Sequence, residues 1–259
     1  MAQTPAGGAP TGLEKLQALS GNGPVSYGPV QDAEPLFRAQ LRTLMEGGAR
    51  SFCDVGGGKK PIASLEEIDR SGLDYVVFDA SQEELDKAPD GYHTFQGSII
   101  DTDAVSRLVH ERGPFDVVVS RWTAEHIPDG KRFHEQVFTM LRPGGTAVHF
   151  FPTLYSLPFL FNRLLSPQAS AAILFRANPW RHTKFLAYYS WCRGPSNRQT
   201  RRLEEIGFSV DHYVGFFGHG FYAKVKPLDV AHRAVANVLL DHPLPSLTSF
   251  ALVVLTRPV

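Results

Sequence analysis

The stretch Ser51–Pro61, SFCDVGGGKKP, places Asp54 at the close of a short β-rich run and follows it with Gly56, Gly57 and Gly58. A carboxylate taken out of water needs partners to offset its desolvation. Asp54 is therefore expected to meet a cation or hydrogen-bond donors where the strand ends. The glycines admit positive φ angles and let a ligand approach the backbone with no Cβ in the way. Pro61 suits the first turn of a following helix. A second acid, Asp79, closes the run DYVVFDAS 21 positions after Gly58. At that distance a carboxylate can accept both hydroxyls of a ribose. The pair points to a nucleoside-containing cofactor.

Two cofactor classes compete. A dinucleotide wants a third glycine for helix–strand packing and a helix N-terminus for its pyrophosphate. Here Gly56-x-Gly58-x-x leads to Pro61, and nothing in that reading explains Asp54. S-adenosylmethionine has no phosphate and carries an ammonium and a sulfonium, which Asp54 and its loop can address. Proton acceptors are expected past the later strands: SRWTAEHIPD offers Glu125 and His126, TAVHFF offers His149, and GFFGHGFY offers His219. An imidazole titrating near neutrality suits proton removal from a hydroxyl. No Asp/His set has metal-ligand spacing, so no metal is expected.

These residues need a scaffold. Short β-rich runs whose charges lie towards their ends (RSFCDV, DYVVFDAS, YHTFQGSI, FDVVVS, TAVHFFPT) alternate with helical patterns such as PIASLEEIDRSG, TDAVSRLVHERG and GKRFHEQVFTM. That alternation predicts a doubly wound, mostly parallel α/β sheet with helices on both faces. It breaks over residues 153–195 and resumes with SNRQTRRLEEIG, FSVDHYVGF, PLDVAHRAVANVLLDH and SFALVVLT. Some forty residues exceed the usual two to six between elements, and they carry Tyr155, Phe159, Tyr188, Tyr189 and Trp191. We read this insertion as a helical, aromatic lid over a substrate pocket. Residues 1–30, rich in Gly, Pro, Ala and Ser, are expected to form a mobile tail with one short helix capped by Thr11 and Glu14. The domain proper is then 31–259.

The DVGGG turn, Asp79 after the second strand, FDVVVSRWTAEHIPD and LRPGG before a strand together resemble the class I S-adenosylmethionine-dependent methyltransferases of the small-molecule type. The likeness covers roughly residues 35–152 and resumes with the last two strands. It implies a seven-stranded Rossmann-like sheet. It also implies that Asp54, Gly56, Gly57 and Gly58 line the methionine end of the cofactor and that Asp79 takes the ribose hydroxyls. Ala80, Ser98 and Ile99 would flank the adenine, and Ser120 with Arg121 would lie near the sulfonium. Trp122 would join the lid aromatics on the acceptor side. The family's third glycine is Lys60 here, and the acid that often follows the third strand's glycine is Ser98.

Composition narrows the partners. Lys+Arg and Asp+Glu are both 26, so no positive field gathers nucleic acid. Two cysteines and no basic, apolar leader fit a reducing, cytoplasmic setting. Pro143 to Asn162 lacks charge, but Pro152 and Pro158 interrupt it, so no transmembrane helix is expected. The expected function is methyl transfer to a small molecule, apolar or lipid-linked acceptors included, at a hydroxyl of a sugar, glycolipid precursor or secondary metabolite. N- or C-methylation, a nucleotide-binding oxidoreductase and a non-catalytic cofactor-binding relative are the alternatives. Monomer and homodimer both stay open.

Overall fold

The computed structural model describes residues 23–154, 186–223 and 226–259. In chain order the regular elements are β1 (Val25–Pro29), α1 (Ala33–Glu46), β2 (Ser51–Val55), α2 (Leu65–Ser71), β3 (Asp74–Asp79), α3 (Gln82–Leu85) and β4 (His93–Gln96). They continue with α4 (Thr102–Arg112), β5 (Phe115–Arg121), α5 (Gly130–Met140), β6 (Leu141–Pro152), α6 (Asn197–Glu204), β7 (Ser209–Phe217), α7 (Lys226–Asp241) and β8 (Phe250–Thr256). One sheet takes all eight strands in the order β1-β7-β8-β6-β5-β2-β3-β4. Every pairing is parallel except those of β8, which runs antiparallel to both β6 and β7. The doubly wound α/β architecture is as expected.

The strand count is not. Residues 25–29, assigned to a mobile tail by their composition, form an eighth strand whose Val25 to Pro29 pair with Tyr213 to Phe217 of β7. Gly28 and Pro29 argue against a central strand, but an edge strand needs only one ladder. Tyr27 secures it: its ring stacks on Phe217 with centroids 5.6 Å apart, and its hydroxyl donates to the Pro195 carbonyl. The short helix expected around Thr11–Leu19 and residues 155–185 of the expected lid, Tyr155 and Phe159 among them, lie outside the described residues.

Two hydrophobic layers sandwich the sheet because its central strands are apolar at successive positions. Cys53, Val55, Val76, Phe78 and Val118 face one way, onto Leu108 of α4 and Phe133 and Val137 of α5. Phe52, Val77, Val117, Val119 and Phe150 face the other way, onto Leu36, Phe37 and Leu41 of α1. Burying one such side chain contributes about 1.5–3 kcal/mol, so the two layers hold the strand ends rigidly where a site can be built. Capping fixes where the helices begin. Ser64 and Glu67 form a reciprocal capping box on α2, and Asp129 accepts from Arg132 N at the start of α5.

Candidate active site

The carboxyl ends of β3, β2 and β5 are neighbours in the sheet, and each carries a residue singled out by the sequence. Asp54 is fully buried on β2. Its Oδ2 accepts from the Tyr75 hydroxyl at 2.6 Å and from Ile62 N at 2.8 Å. The donors that a buried carboxylate requires are thus supplied by the neighbouring strand and by the far end of the glycine turn. Asp54 folds the turn back over its own strand. Burial still lifts its carboxyl to about 6, against the lowering effects of Tyr75, Ile62 and the charge of Arg121. Its Oδ1 has no partner among the described residues.

The glycines are needed by the protein as well as by any ligand. Gly56 has φ +77°, and a Cβ there would overlap the Thr123 side chain from the loop after β5. A Cβ on Gly57 would lie 2.6 Å from Asp54 Oδ2 and 2.9 Å from Val77 Cγ1. Gly57→Ala should therefore lower stability by about 1–3 kcal/mol, read as a fall in the thermal midpoint. An unchanged midpoint would show that the turn relaxes freely.

Asp79 ends β3 and is partly buried. Its Oδ1 accepts from Ser81 N at 2.9 Å, while a Cβ on Gly58 would sit 3.1 Å from Oδ2, so the carboxylate flanks the glycine turn. Burial raises its pKa, opposed by the backbone donors of Ser81, Ala80 and Gly58. Ala80 is exposed beside it. The 97–101 loop is tied to the same edge, because Gly97 N donates to the Asp79 carbonyl at 2.9 Å and Asp101 N to that of Ser98 at 3.0 Å. Ile99 is 7 % exposed and belongs to the core.

Past β5 the chain turns sharply. Trp122 has φ +58°, is 42 % exposed, and packs its ring on Phe150 and edge-on to Phe250, with centroids 4.9 and 5.2 Å away. Arg121 pairs with Glu34 of α1, Nη1 to Oε1 at 2.9 Å. His126 closes the short turn Ala124–His126, and its Nδ1 meets the Leu186 carbonyl at 2.8 Å. A carbonyl accepts only, so Nδ1 carries the proton and the lone pair belongs to Nε2. The Glu125 carbonyl accepts from both Tyr188 N and Tyr189 N, at 2.7 and 3.0 Å, which ties the described end of the insertion to this turn.

Glu125 itself points inward. Burial lifts its carboxyl to about 8, and Oε2 has no partner among the described residues. The folded protein therefore keeps a proton that the unfolded chain releases above its ordinary 4.5, and stability falls as pH rises through that interval. Asp54 acts with the same sign but is finished by about 6. Buried His134, pushed down to about 3, acts with the opposite sign and only below its ordinary 6.5. Between pH 6.5 and 8 Glu125 contributes a falling slope. Wild type should lose about 2 kcal/mol more there than Glu125→Gln. Denaturant unfolding at the two pH values checks this, and parallel behaviour of the two proteins would show Glu125 ionised in the fold.

Several expected site residues lie elsewhere. His149 is 0 % exposed on the α5 side of the sheet. It pairs with Ser120 Oγ through Nδ1 at 2.8 Å and packs against Phe133 and His134. Burial holds it neutral, so both it and Ser120 belong to a buried polar cluster rather than to an open edge. His219 follows β7, three strand positions from β5, or about 14 Å. It stacks on His232 of α7 with centroids 3.8 Å apart. Tyr189 is buried in the core. Trp191 lies between α5 and α6 under Arg202, whose guanidinium carbon is 5.4 Å from its ring. Tyr188, 45 % exposed, remains beside the β5 turn. The sequence reading missed Tyr75 as the partner of Asp54 and Glu34 as the partner of Arg121.

The arrangement fits S-adenosylmethionine: an acid at the β3 end for a ribose, a glycine turn between two acids, and an unsatisfied oxygen on Asp54 beneath it. A model of the methyltransferase domain family matches residues 31–213. An "Uncharacterized methyltransferase" of Mycobacterium sp. (strain KMS) is 31% identical over 125 residues, 47% of this chain and 48% of that protein. Its counterpart in Mycolicibacterium gilvum (strain PYR-GCK) is 32% identical over 126 residues, 49% of this chain and 48% of that one. The match thus spans about half the length of these relatives. Among solved structures, a SAM dependent methyltransferase from Archaeoglobus fulgidus aligns with TM-score 0.50 at 16% identity, covering 86% of this chain and 94% of that one. A S-adenosylmethionine-dependent methyltransferase from Clostridium acetobutylicum aligns with TM-score 0.50 at 10% identity, covering 88% and 93%. These two likenesses concern the fold. Because the family model covers more than half of its length, the chain belongs to the methyltransferase domain family.

Proposed function

We propose that the protein is an S-adenosylmethionine-dependent methyltransferase acting on a small molecule, at a hydroxyl of a sugar, glycolipid precursor or secondary metabolite. The observation that carries this reading is the convergence of Asp79, the Gly56–Gly58 turn and the Trp122–Thr123 loop at three adjacent strand ends. When bound, the cofactor supplies an electrophilic methyl group on its sulfonium. Asp79 accepts the ribose hydroxyls, Ala80, Ser98 and Ile99 border the adenine, and the glycine turn takes the methionine end. The exposed rings of Trp122 and Tyr188 offer the acceptor an apolar wall. His126 takes the acceptor proton at Nε2, while the Leu186 carbonyl holds its tautomer.

The insertion at 153–195 selects the acceptor in this scheme, supported by the two backbone bonds that join Tyr188 and Tyr189 to Glu125. A reducing, cytoplasmic setting is supported by Cys53 and Cys192, both free and buried. Among the described residues no helix is long and apolar enough to cross a membrane. Family membership sets the dinucleotide oxidoreductase aside. Incubating the full chain with S-adenosylmethionine and a panel of hydroxylated, amine and activated-carbon acceptors, with mass detection of an added methyl group, tests the proposal. Transfer to a hydroxyl supports it. Transfer only to nitrogen or carbon overturns the acceptor class, and tight cofactor binding with transfer to none points to a non-catalytic relative.

A further inference from the structure

Arg121 raises an electrostatic problem. It ends β5, the strand beside β2, and its charge is felt by the Asp54 carboxyl. A guanidinium stays charged at all working pH values. Placed at an edge that receives a sulfonium and an ammonium, it would repel both. The structure answers with Glu34, in the first turn of α1 and outside every motif of the cofactor site. Glu34 Oε1 lies 2.9 Å from Arg121 Nη1 and 3.1 Å from Arg38 Nε. Arg38 in turn donates through Nη1 to the Ile62 carbonyl, while Ile62 N donates to Asp54. One carboxylate thus joins the exit of β5 to the end of the glycine turn. The Arg121 side chain is 19 % exposed and that of Glu34 43 %, so water screens the pair in part.

We infer that Glu34 tunes the charge of this edge by neutralising Arg121, so that the site favours the cationic sulfonium cofactor over the neutral thioether that remains after methyl loss. The inference rests on the proposed cofactor. The two ligands share adenosine, ammonium and carboxylate and differ by one positive charge at sulfur. Contacts that only shape the site act on both equally. A charge facing the sulfur acts on one.

Calorimetric dissociation constants for S-adenosylmethionine and S-adenosylhomocysteine give the ratio to follow, measured on the full chain. Glu34→Gln should lower the preference for the sulfonium form about two- to fivefold, by the Coulomb interaction of one unit charge at a partly screened edge. The loss should shrink as salt is raised. Arg121→Gln should move the ratio the other way, and the double variant should return to within about twofold of wild type, since the two charges act as a pair. If Glu34→Gln weakens both ligands equally, Glu34 merely holds the loop through Arg38, and the inference fails. An unchanged ratio in both single variants also overturns it. If wild type binds neither ligand, the failure lies in the proposed function itself.

Discussion

His126→Ala should lower the rate of methyl transfer to a hydroxyl about 10²–10⁴-fold while cofactor affinity stays nearly intact, because general-base help typically contributes that much. The expectation rests on the tautomer. Nδ1 is 2.8 Å from the Leu186 carbonyl, an acceptor, and this assigns the lone pair to Nε2. Position matters as well: the Ala124–His126 turn leaves the β5 end three residues after Arg121. The same bond to Leu186 gives His126 a structural duty, so the alanine variant alone is ambiguous. His126→Asn retains a donor for the carbonyl and removes the base. Both variants should be slow if His126 takes the proton. Recovery of turnover in the asparagine variant, or a lowered melting point with normal turnover per folded molecule, would make the histidine structural.

Asp79→Ala should weaken S-adenosylmethionine binding about ten- to a hundredfold, since hydrogen bonds to a charged group are worth about 1.5–3 kcal/mol. Part of the carboxylate is already engaged, as Oδ1 accepts from Ser81 N at 2.9 Å. Oδ2 lies on the Gly58 side, 3.1 Å from where a Cβ on that residue would sit. Asp79→Asn separates the two roles: it can keep the Ser81 contact and loses the charge, so its affinity should fall between wild type and alanine. Calorimetry on the three proteins reads the order directly. Equal affinities in folded variants would remove Asp79 from the cofactor site.

The parallel sheet and the strand-end acids were legible in sequence because both follow local rules. Apolar β-rich runs separated by amphipathic helices announce a sheet covered on both faces, and an acid ending such a run stands at its carboxyl edge. What escaped depends on which face a side chain takes and on partners distant in the chain. Tyr75 reaches Asp54 from the adjacent strand, 21 positions away. Glu34 reaches Arg121 across 87. His149 lies on an inner strand covered on both faces, so its place near the strand end told nothing about access, and α5 seals it. Edge strand β1 was hidden by Gly28 and Pro29, residues that weaken a strand reading and that an edge, with its single ladder, accommodates. Trp191 was grouped with the lid by composition, yet its φ of +62° and its seat under Arg202 set it on the helical flank.

Binding of the nucleoside at the β3 end is open to direct observation in a crystal structure of the full chain grown with S-adenosylhomocysteine. Both ribose hydroxyls should lie on the Asp79 carboxylate, with the adenine bordered by Ala80 and Ile99 and the sulfur facing the Trp122–Thr123 loop. A nucleoside bound at another edge, or one whose ribose leaves Asp79 untouched, would contradict it.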